Sequence, residues 1–173
     1  MDLELVTPAD LDPVPPEPPE DAPTFGENAT AKARAYALAS GLQTVADDSG
    51  LEVYALRGAP GVRSRRFFGE DASAAERNAK LLALLDGVDD RSARFVCVTA
   101  LASPDGHVEL FEGEVRGEIA EAPRGDGGFG YDPVFVIAGD GRTMAELSPE
   151  EKHRVSHRGL AGAKLRARLA AGV

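Results

Sequence analysis

The spacing of hydrophobic residues changes along the chain between a helical period and an alternating one, and these changes mark the predicted elements. Apolar residues at helical spacing follow capping residues at Thr24, Ser73 and Ser148. This pattern predicts helices over residues 28–40 and 74–87, a short helix from 149, and a closing helix from 156. Alternating or continuous apolar runs predict strands over residues 43–46, 51–56, 94–102, 107–119 and 134–137.

One helix has a predicted buried face, and a second has apolar residues at helical spacing. In the second helix the residues expected to face a core are Leu81, Leu82, Leu84 and Leu85. In the closing helix the residues that recur at helical spacing are Leu160, Ala163, Ala167 and Ala170. The residues from Ser103 to Gly106 predict a hairpin turn between two strands.

The first 23 residues are rich in proline and acidic side chains. Seven of the twelve prolines of the chain lie there, and proline removes a backbone donor and disfavours helix in the residue before it. We therefore expect an extended loop, preceded by at most one short strand over residues 3–6. Glu20, near the end of this loop, is a candidate site carboxylate.

Two adjacent carboxylates, Asp47 and Asp48, lie between the predicted strands 43–46 and 51–56. Their position predicts a turn, and neighbouring residues of an extended chain point to opposite sides. One carboxylate can then face a metal ion while the other contacts the backbone. The alternative is an ordinary turn, because Asp, Ser and Gly all suit turn geometry.

Length and composition indicate one soluble globular domain. The chain has 173 residues, of which 43% are hydrophobic, and this is enough for a core. No apolar run approaches the roughly 20 residues of a membrane helix, and the amino terminus is acidic, so we expect a cytoplasmic protein without membrane contact. Cys97 is the single cysteine and is predicted to be a small buried side chain.

The charge distribution points to a compact anionic ligand. A formal net charge of -10 argues against nucleic-acid binding, which needs clustered cations. Yet basic residues are concentrated in two segments, namely Arg57, Arg63, Arg65 and Arg66, and then Lys152, His153, Arg154, His157 and Arg158. Such local clusters suit a polyphosphate, although any one of these side chains can simply be solvated.

The segment with the most glycines surrounds Phe129. Gly125, Gly127 and Gly130 match the dinucleotide-binding pattern G-x-G-x-x-G, but that pattern requires a helix directly after it, and here a strand is predicted. We favour a loop in which Phe129 stacks on a nucleobase and the glycines let the backbone approach it. The alternative is that Phe129 belongs to the core.

Five ordered motifs resemble the inosine triphosphate pyrophosphatase family, which acts on non-canonical purine nucleotides. They lie at residues 24–33, 46–51, 58–62, 127–133 and 145–159. The resemblance implies an α/β fold with an elongated mixed β-sheet, flanking helices and two lobes around a nucleotide cleft. It also implies a homodimer that uses Mg²⁺ to hydrolyse ITP, dITP and XTP to the monophosphate and pyrophosphate.

The resemblance also assigns roles to individual residues. Asp48 matches the metal ligand and proton acceptor, and Glu20 matches a second metal carboxylate. His157 and Arg158 match the pair that contacts the 6-oxo group of the purine. The other residues that match substrate contacts are Ser49, Phe129, Gly130, Tyr131, Asp132 and Lys152.

The start of the chain departs from the family pattern. Members open with a strand and a phosphate-binding loop of the form Ser/Thr-x-Asn-x-x-Lys, which this sequence lacks. We therefore expect a single pyrophosphatase domain over residues 1–173 that is shortened at its amino terminus. Two alternatives follow: a nucleotide-binding protein with little turnover, and a different metal-dependent phosphohydrolase built on the two aspartates.

Overall fold

A computed structural model describes residues 4–171 and confirms the α/β class. The elements in chain order are α1 (Phe25–Ser40), β1 (Thr44–Val53), α2 (Ala74–Leu84), β2 (Ser92–Ala102), β3 (Val108–Ile119), β4 (Phe135–Ile137), α3 (Pro149–Val155) and α4 (His157–Ala171). Within the described part of the chain the strands form a four-stranded sheet in the order β1-β2-β3-β4. Strand β3 pairs antiparallel with β4, with Gly117 opposite Ile137.

The predicted helices are confirmed, and local capping explains where they begin. The hydroxyl of Thr24 accepts a hydrogen bond from the Glu27 amide at 3.2 Å, and Ser73 caps α2 through Glu76 in the same way. Such caps satisfy amides that have no partner inside the helix. Helix α1 ends at Gly41, whose φ of 67° is in the left-handed region that glycine tolerates.

The predicted turn at the aspartate pair is wrong, because β1 runs without interruption from Thr44 to Val53. Asp47 and Asp48 therefore lie inside a strand. Pairing within the sheet outweighs the turn preference of Asp, Ser and Gly, since strand formation depends on tertiary contacts more than on local preference.

The one short strand that the sequence allows over residues 3–6 does not form in the residues that the structure describes. Residues 4–6 have no regular secondary structure, and Leu5 is 88% exposed. Leu3 lies outside the described residues. An extended segment followed by a short turn at Pro8–Asp10 agrees with the loop expected from the prolines.

The structure shows which residues of α4 and α2 are buried. In α4 the residues turned away from solvent are Ala161, Leu165 and Leu169, and the residues Leu160, Ala163, Ala167 and Ala170 are exposed. Both sets have helical spacing, so periodicity alone could not choose between them.

In α2, Leu81 and Leu85 are fully buried, but Leu84 is 48% exposed.

The chain divides into two compact units, of which the first comprises Met1–Asp48, Val98–Glu112 and Ala161–Val173. Its core consists of small side chains: Ala29, Ala33 and Ala37 of α1 pack with Ala100 and Ala102 of β2. Alanines at every fourth position of α1 lie on one helix face and allow the helix to approach the sheet closely. This packing fixes the side of α1 on which Asn28 and Lys32 lie.

The second unit comprises Ser49–Cys97 and Gly113–Leu160 and has a core of large side chains. Leu51, Leu81, Leu85, Val134 and Phe135 are fully buried there. Cys97 is 1% exposed, as predicted.

An ion-pair network lies on the sheet of the second unit. Arg94 of β2 donates to Glu52 of β1 at 2.7 Å and to Glu114 of β3 at 2.6 Å. One cation therefore connects three neighbouring strands. None of the described helices is long and apolar enough to cross a membrane.

Candidate active site

The carboxylate predicted to bind metal is buried and contacts helix α1. Asp48 is 8% exposed and Asn28 of α1 is 1% exposed. The Asn28 amide donates from Nδ2 to Oδ2 of Asp48 at 2.8 Å. Its Oδ1 accepts from the backbone amide of Ala22 at 3.0 Å. One buried amide thus joins Asp48 to the proline-rich loop.

Glu20, on the same loop, contacts the next turn of the same helix. Lys32 donates to Glu20 at 2.5 Å, and Lys32 follows Asn28 by four residues. Side chains four apart lie on one face of a helix, about 6 Å apart at Cβ. The structure therefore brings Glu20 and Asp48 to adjacent turns of α1. We call the set of Glu20, Asn28, Lys32 and Asp48 the acidic cluster.

The acidic cluster fits Mg²⁺ better than a metal that needs a full set of protein ligands. The described residues contain no group of three or more His, Cys, Asp or Glu side chains placed to hold a metal ion. Mg²⁺ usually binds through one or two carboxylates and keeps several waters. Two carboxylates that contact neighbouring turns of α1 match that requirement.

Asn28 and Lys32 were not predicted to be site residues. Both lie inside a predicted motif, and their spacing of four residues within an alanine-rich helix was the available signal.

Ser49 follows Asp48 on β1 and is half-buried, as is Asp47.

In the second unit the aromatic ring predicted to stack on a base is exposed. Phe129 is 61% exposed, so the alternative that it belongs to the core is wrong. The Nζ of Lys152 lies 4.4 Å from the ring centroid and the Cζ of Arg158 lies 5.3 Å from it. An exposed ring beside two cations can receive a flat, anionic ligand, because stacking and charge act together.

Asp132 is a buried carboxylate that holds this loop in place. Its side chain is 3% exposed and forms an ion pair with Lys152, and its Oδ2 accepts from the Phe129 amide at 2.6 Å. A single buried carboxylate therefore fixes both the aromatic residue and the cation next to it. We call Gly128–Asp132 the Phe129 loop.

The glycines before Phe129 are needed for reasons internal to the protein. A Cβ on Gly128 would lie 2.2 Å from Oδ2 of Asp132 and 2.9 Å from Nζ of Lys152, and its φ is +71°. A Cβ on Gly127 would lie 2.9 Å from the carbonyl oxygen of Ala145, which accepts from the Gly127 amide. These glycines make room for the ion pair and for backbone packing, whereas the sequence analysis assigned that space to a ligand.

Two further contacts hold the Phe129 loop. Asn78 of α2, which is 4% exposed, donates from Nδ2 to the carbonyl oxygen of Gly130 at 3.1 Å. The Oδ1 of Asn78 is buried and has no hydrogen-bond partner among the described residues.

The Tyr131 hydroxyl donates to the carbonyl oxygen of Ser64 at 2.9 Å, and burial raises the pKa of Tyr131 to about 12. Sequence analysis missed Asn78 and Ser64.

His157 and Arg158 begin α4 but lie in different surroundings. His157 is 5% exposed and stacks on Phe95 of β2, with ring centroids 4.7 Å apart and an interplanar angle of 12°. Arg158 is exposed beside Phe129. The aromatic stack therefore fixes the start of α4, and the adjacent guanidinium lies at the surface.

The first basic segment is a surface feature of the second unit. Arg57, Arg63 and Arg65 are exposed, and Arg66 is half-buried. In the second segment, Lys152 and Arg158 lie beside Phe129, while His153 and Arg154 are exposed. In the second segment two cations therefore lie beside one exposed aromatic side chain.

Comparison with known proteins gives consistent results. The sequence profile of the Ham1 family matches residues 2–168. The dITP/XTP pyrophosphatase of Syntrophobacter fumaroxidans is 56% identical over 152 residues, which are 88% of this chain and 65% of that protein. The dITP/XTP pyrophosphatase of Thermus thermophilus is 56% identical over 146 residues, or 83% of this chain and 70% of that protein. The chain thus spans about two thirds of the length of these relatives.

Solved structures give the same picture of the fold. A HAM1 protein from Coxiella burnetii superposes with a TM-score of 0.87 at 46% identity, covering 91% of this chain and 82% of that one. The nucleoside-triphosphatase, or dITP/XTP pyrophosphatase, of Mycobacterium abscessus superposes with a TM-score of 0.81 at 48% identity. That match covers 94% of this chain and 86% of the other.

Proposed function

The chain belongs to the Ham1 family, and from this premise we propose that it hydrolyses non-canonical purine nucleoside triphosphates. The substrates would be dITP, XTP and ITP, and the products the nucleoside monophosphate and pyrophosphate. The names of relatives that are 56% identical support this substrate class. The structural observation that supports it most directly is the exposed Phe129 ring beside Lys152 and Arg158.

The acidic cluster would supply the groups for hydrolysis. A triphosphate carries close to four negative charges near neutral pH, which hinder attack by water. Mg²⁺, when bound by Asp48 and Glu20, would neutralise phosphate oxygens and lower the pKa of a coordinated water. The Asp48 carboxylate would accept the proton of the water that attacks the α-phosphorus, and the bond from that phosphorus to the pyrophosphate oxygen would break.

The Phe129 loop would hold the base. Phe129 offers a face for stacking, and the guanidinium of Arg158 offers only donors. A 6-oxo purine would accept from Arg158, whereas a 6-amino purine would place a donor against a donor. Sites that hydrogen-bond a substrate group reject analogues that lack it, because their polar groups are then left unpaired.

Product analysis tests the proposal against its alternatives. The chain is incubated with ITP, dITP, XTP and ATP, with and without Mg²⁺, and both pyrophosphate and orthophosphate are measured. Pyrophosphate from the 6-oxo substrates in the presence of Mg²⁺ is the expected result. Orthophosphate would indicate a different phosphohydrolase, and binding of ITP without product would indicate a nucleotide-binding protein.

The family resemblance also leads us to propose a cytoplasmic homodimer. Sedimentation equilibrium should give twice the chain mass of 18.2 kDa. A single species at the mass of one chain would contradict the dimer without affecting the proposed reaction.

A further inference from the structure

We propose that Asn28 is a positioning residue that sets the affinity of the acidic cluster for its divalent cation. The proposal rests on the proposed function, in which Asp48 and Glu20 hold Mg²⁺. Asn28 itself would not contact the ion. It would act through Asp48, to which it is directly bonded, and through the loop that carries Glu20.

The amide of Asn28 is used at both ends, and this fixes its orientation. Oδ1 accepts from the Ala22 amide at 3.0 Å, so Nδ2 must face Asp48, to which it donates at 2.8 Å. Because Asn28 is 1% exposed, water cannot easily replace either bond. Few other side chains of this size present both a donor and an acceptor.

The bond to Ala22 restrains the loop that carries Glu20. Ala22 is two residues after Glu20, and prolines at 18, 19 and 23 leave few backbone amides in this stretch. The Ala22 amide is therefore one of the few donors through which the loop can be attached to α1. Asn28 attaches it at the helical turn before the one where Lys32 contacts Glu20.

The two carboxylates of the acidic cluster receive chemically different support. Glu20 pairs with the ammonium group of Lys32, which offsets its charge. Asn28 gives Asp48 a hydrogen bond without adding a positive charge, so the bond orients the carboxylate and leaves its formal negative charge for the cation. Partners of this kind, behind a metal ligand, typically change metal affinity about 10- to 100-fold when they are removed.

The competing explanation is that Asn28 only stabilises the fold. Both explanations predict a lower melting temperature for Asn28→Leu, which keeps the branched shape of the side chain and removes both bonds. Only the positioning role predicts weaker cation binding by protein that is still folded. Asn28→Gln retains the amide group and should recover part of the affinity.

The experiment measures cation binding separately from turnover. Mn²⁺ is titrated into the nucleotide-free chain and free Mn²⁺ is followed by electron paramagnetic resonance. In parallel, the Mg²⁺ concentration for half-maximal pyrophosphate release from ITP is measured, with kcat and KM at saturating Mg²⁺. We expect Asn28→Leu to raise the Mn²⁺ Kd and the Mg²⁺ half-saturation at least tenfold, and Asn28→Gln to remain closer to the wild type.

A second variant and a matched control keep the test decisive. Ala22→Pro removes the donor to Oδ1 from the loop side, without a change in α1, and should raise the Mn²⁺ Kd in the same direction. Asn78→Leu removes a buried asparagine of another helix and should leave the Mn²⁺ Kd unchanged. If Asn28→Leu does not fold, as judged by circular dichroism, Ala22→Pro and Asn28→Gln provide the comparison.

The outcomes separate this inference from the proposed function. A wild-type Mn²⁺ Kd in folded Asn28→Leu or Ala22→Pro would overturn the inference, and so would an absence of Mn²⁺ binding by the wild type. Release of no pyrophosphate by a wild-type chain that binds Mn²⁺ would overturn the proposed function. In that case the Mn²⁺ titrations would still decide the role of Asn28.

Discussion

Replacement of Asp132 by asparagine should lower both the stability of the chain and its affinity for nucleotide. The substitution removes one negative charge with little change in volume from a side chain that is 3% exposed. Two groups depend on that charge: the ammonium of Lys152, whose side chain is 17% exposed, and the backbone amide of Phe129.

The expected loss of stability can be estimated from these two contacts. A hydrogen bond to a charged group contributes about 1.5 to 3 kcal/mol, and removing one partner of a buried ion pair costs about 3 to 5 kcal/mol. The asparagine oxygen can still accept one of the two bonds, and Lys152 is partly solvated. We therefore expect a loss of about 3 kcal/mol in the free energy of unfolding, near the lower end of that range. For a chain of this size the melting temperature should fall by about 6 to 12 °C.

Urea denaturation of the variant and of a matched control gives the measurement. Asp140→Asn makes the same chemical change in the same unit, at a carboxylate whose partner Arg142 is 44% exposed. Exposed ion pairs contribute about 0 to 1 kcal/mol, so this control should remain close to the wild type. The midpoint of unfolding should shift for Asp132→Asn with no change in the slope.

A double-mutant cycle with Lys152→Met decides whether the ion pair is responsible. If the pair carries the effect, the two substitutions together should cost less than the sum of the single changes. A loss below 1 kcal/mol for Asp132→Asn, equal to that of Asp140→Asn, would refute the reasoning. Additive losses would show that the Phe129 amide, and not Lys152, is the partner that matters.

Three further predictions concern the acidic cluster and the Phe129 loop. Asp48→Asn should remove nearly all Mg²⁺-dependent pyrophosphate release while circular dichroism stays unchanged, because the change in volume is small; substantial residual turnover would contradict the role of Asp48. Arg158→Ala should reduce the preference for ITP over ATP in kcat/KM more than it reduces total turnover, and unchanged selectivity would show that the base is recognised elsewhere. Burial raises the pKa of Tyr131 to about 12, so the unfolded chain loses this proton first and the free energy of unfolding should fall as pH rises from about 10 to about 12. Tyr131→Phe should flatten that part of the profile, and an identical pH dependence in the variant would contradict the assignment.

Features that depend on neighbouring residues in the sequence could be predicted. The starts of α1, α2 and α3 were found because a capping serine or threonine and an acidic residue three positions later form a local unit. The β2–β3 hairpin was found for the same reason, since its turn residues are contiguous. The buried face of α4 could not be predicted, because the choice between two apolar stripes is made by the elements that pack against it.

The site residues also divide into those that could be predicted from local motifs and those that could not. Asp48, Phe129 and Lys152 could be proposed because each belongs to a distinctive local motif. Asn28 is 20 residues from Asp48, and Asn78 is 52 residues from Gly130, and one sequence contains no signal that pairs residues so far apart. The strand through Asp47 and Asp48 was missed because its stability comes from the adjacent strand.

The close packing of the glycines before Phe129 limits how this protein can change by mutation. Side chains at Gly125, Gly127 and Gly128 would overlap the backbone of Ala145 or the ion pair of Asp132. Gly130 has open space around its missing Cβ, but its φ of +62° lies in the left-handed region and strains any other residue. A laboratory selection for altered base preference would therefore find its variation at positions 126 and 129, or through changes in loop length. Most single-nucleotide changes in the codons of these three glycines would disrupt the packing of the loop. Such variants would be lost from the library before the selection for a new substrate begins.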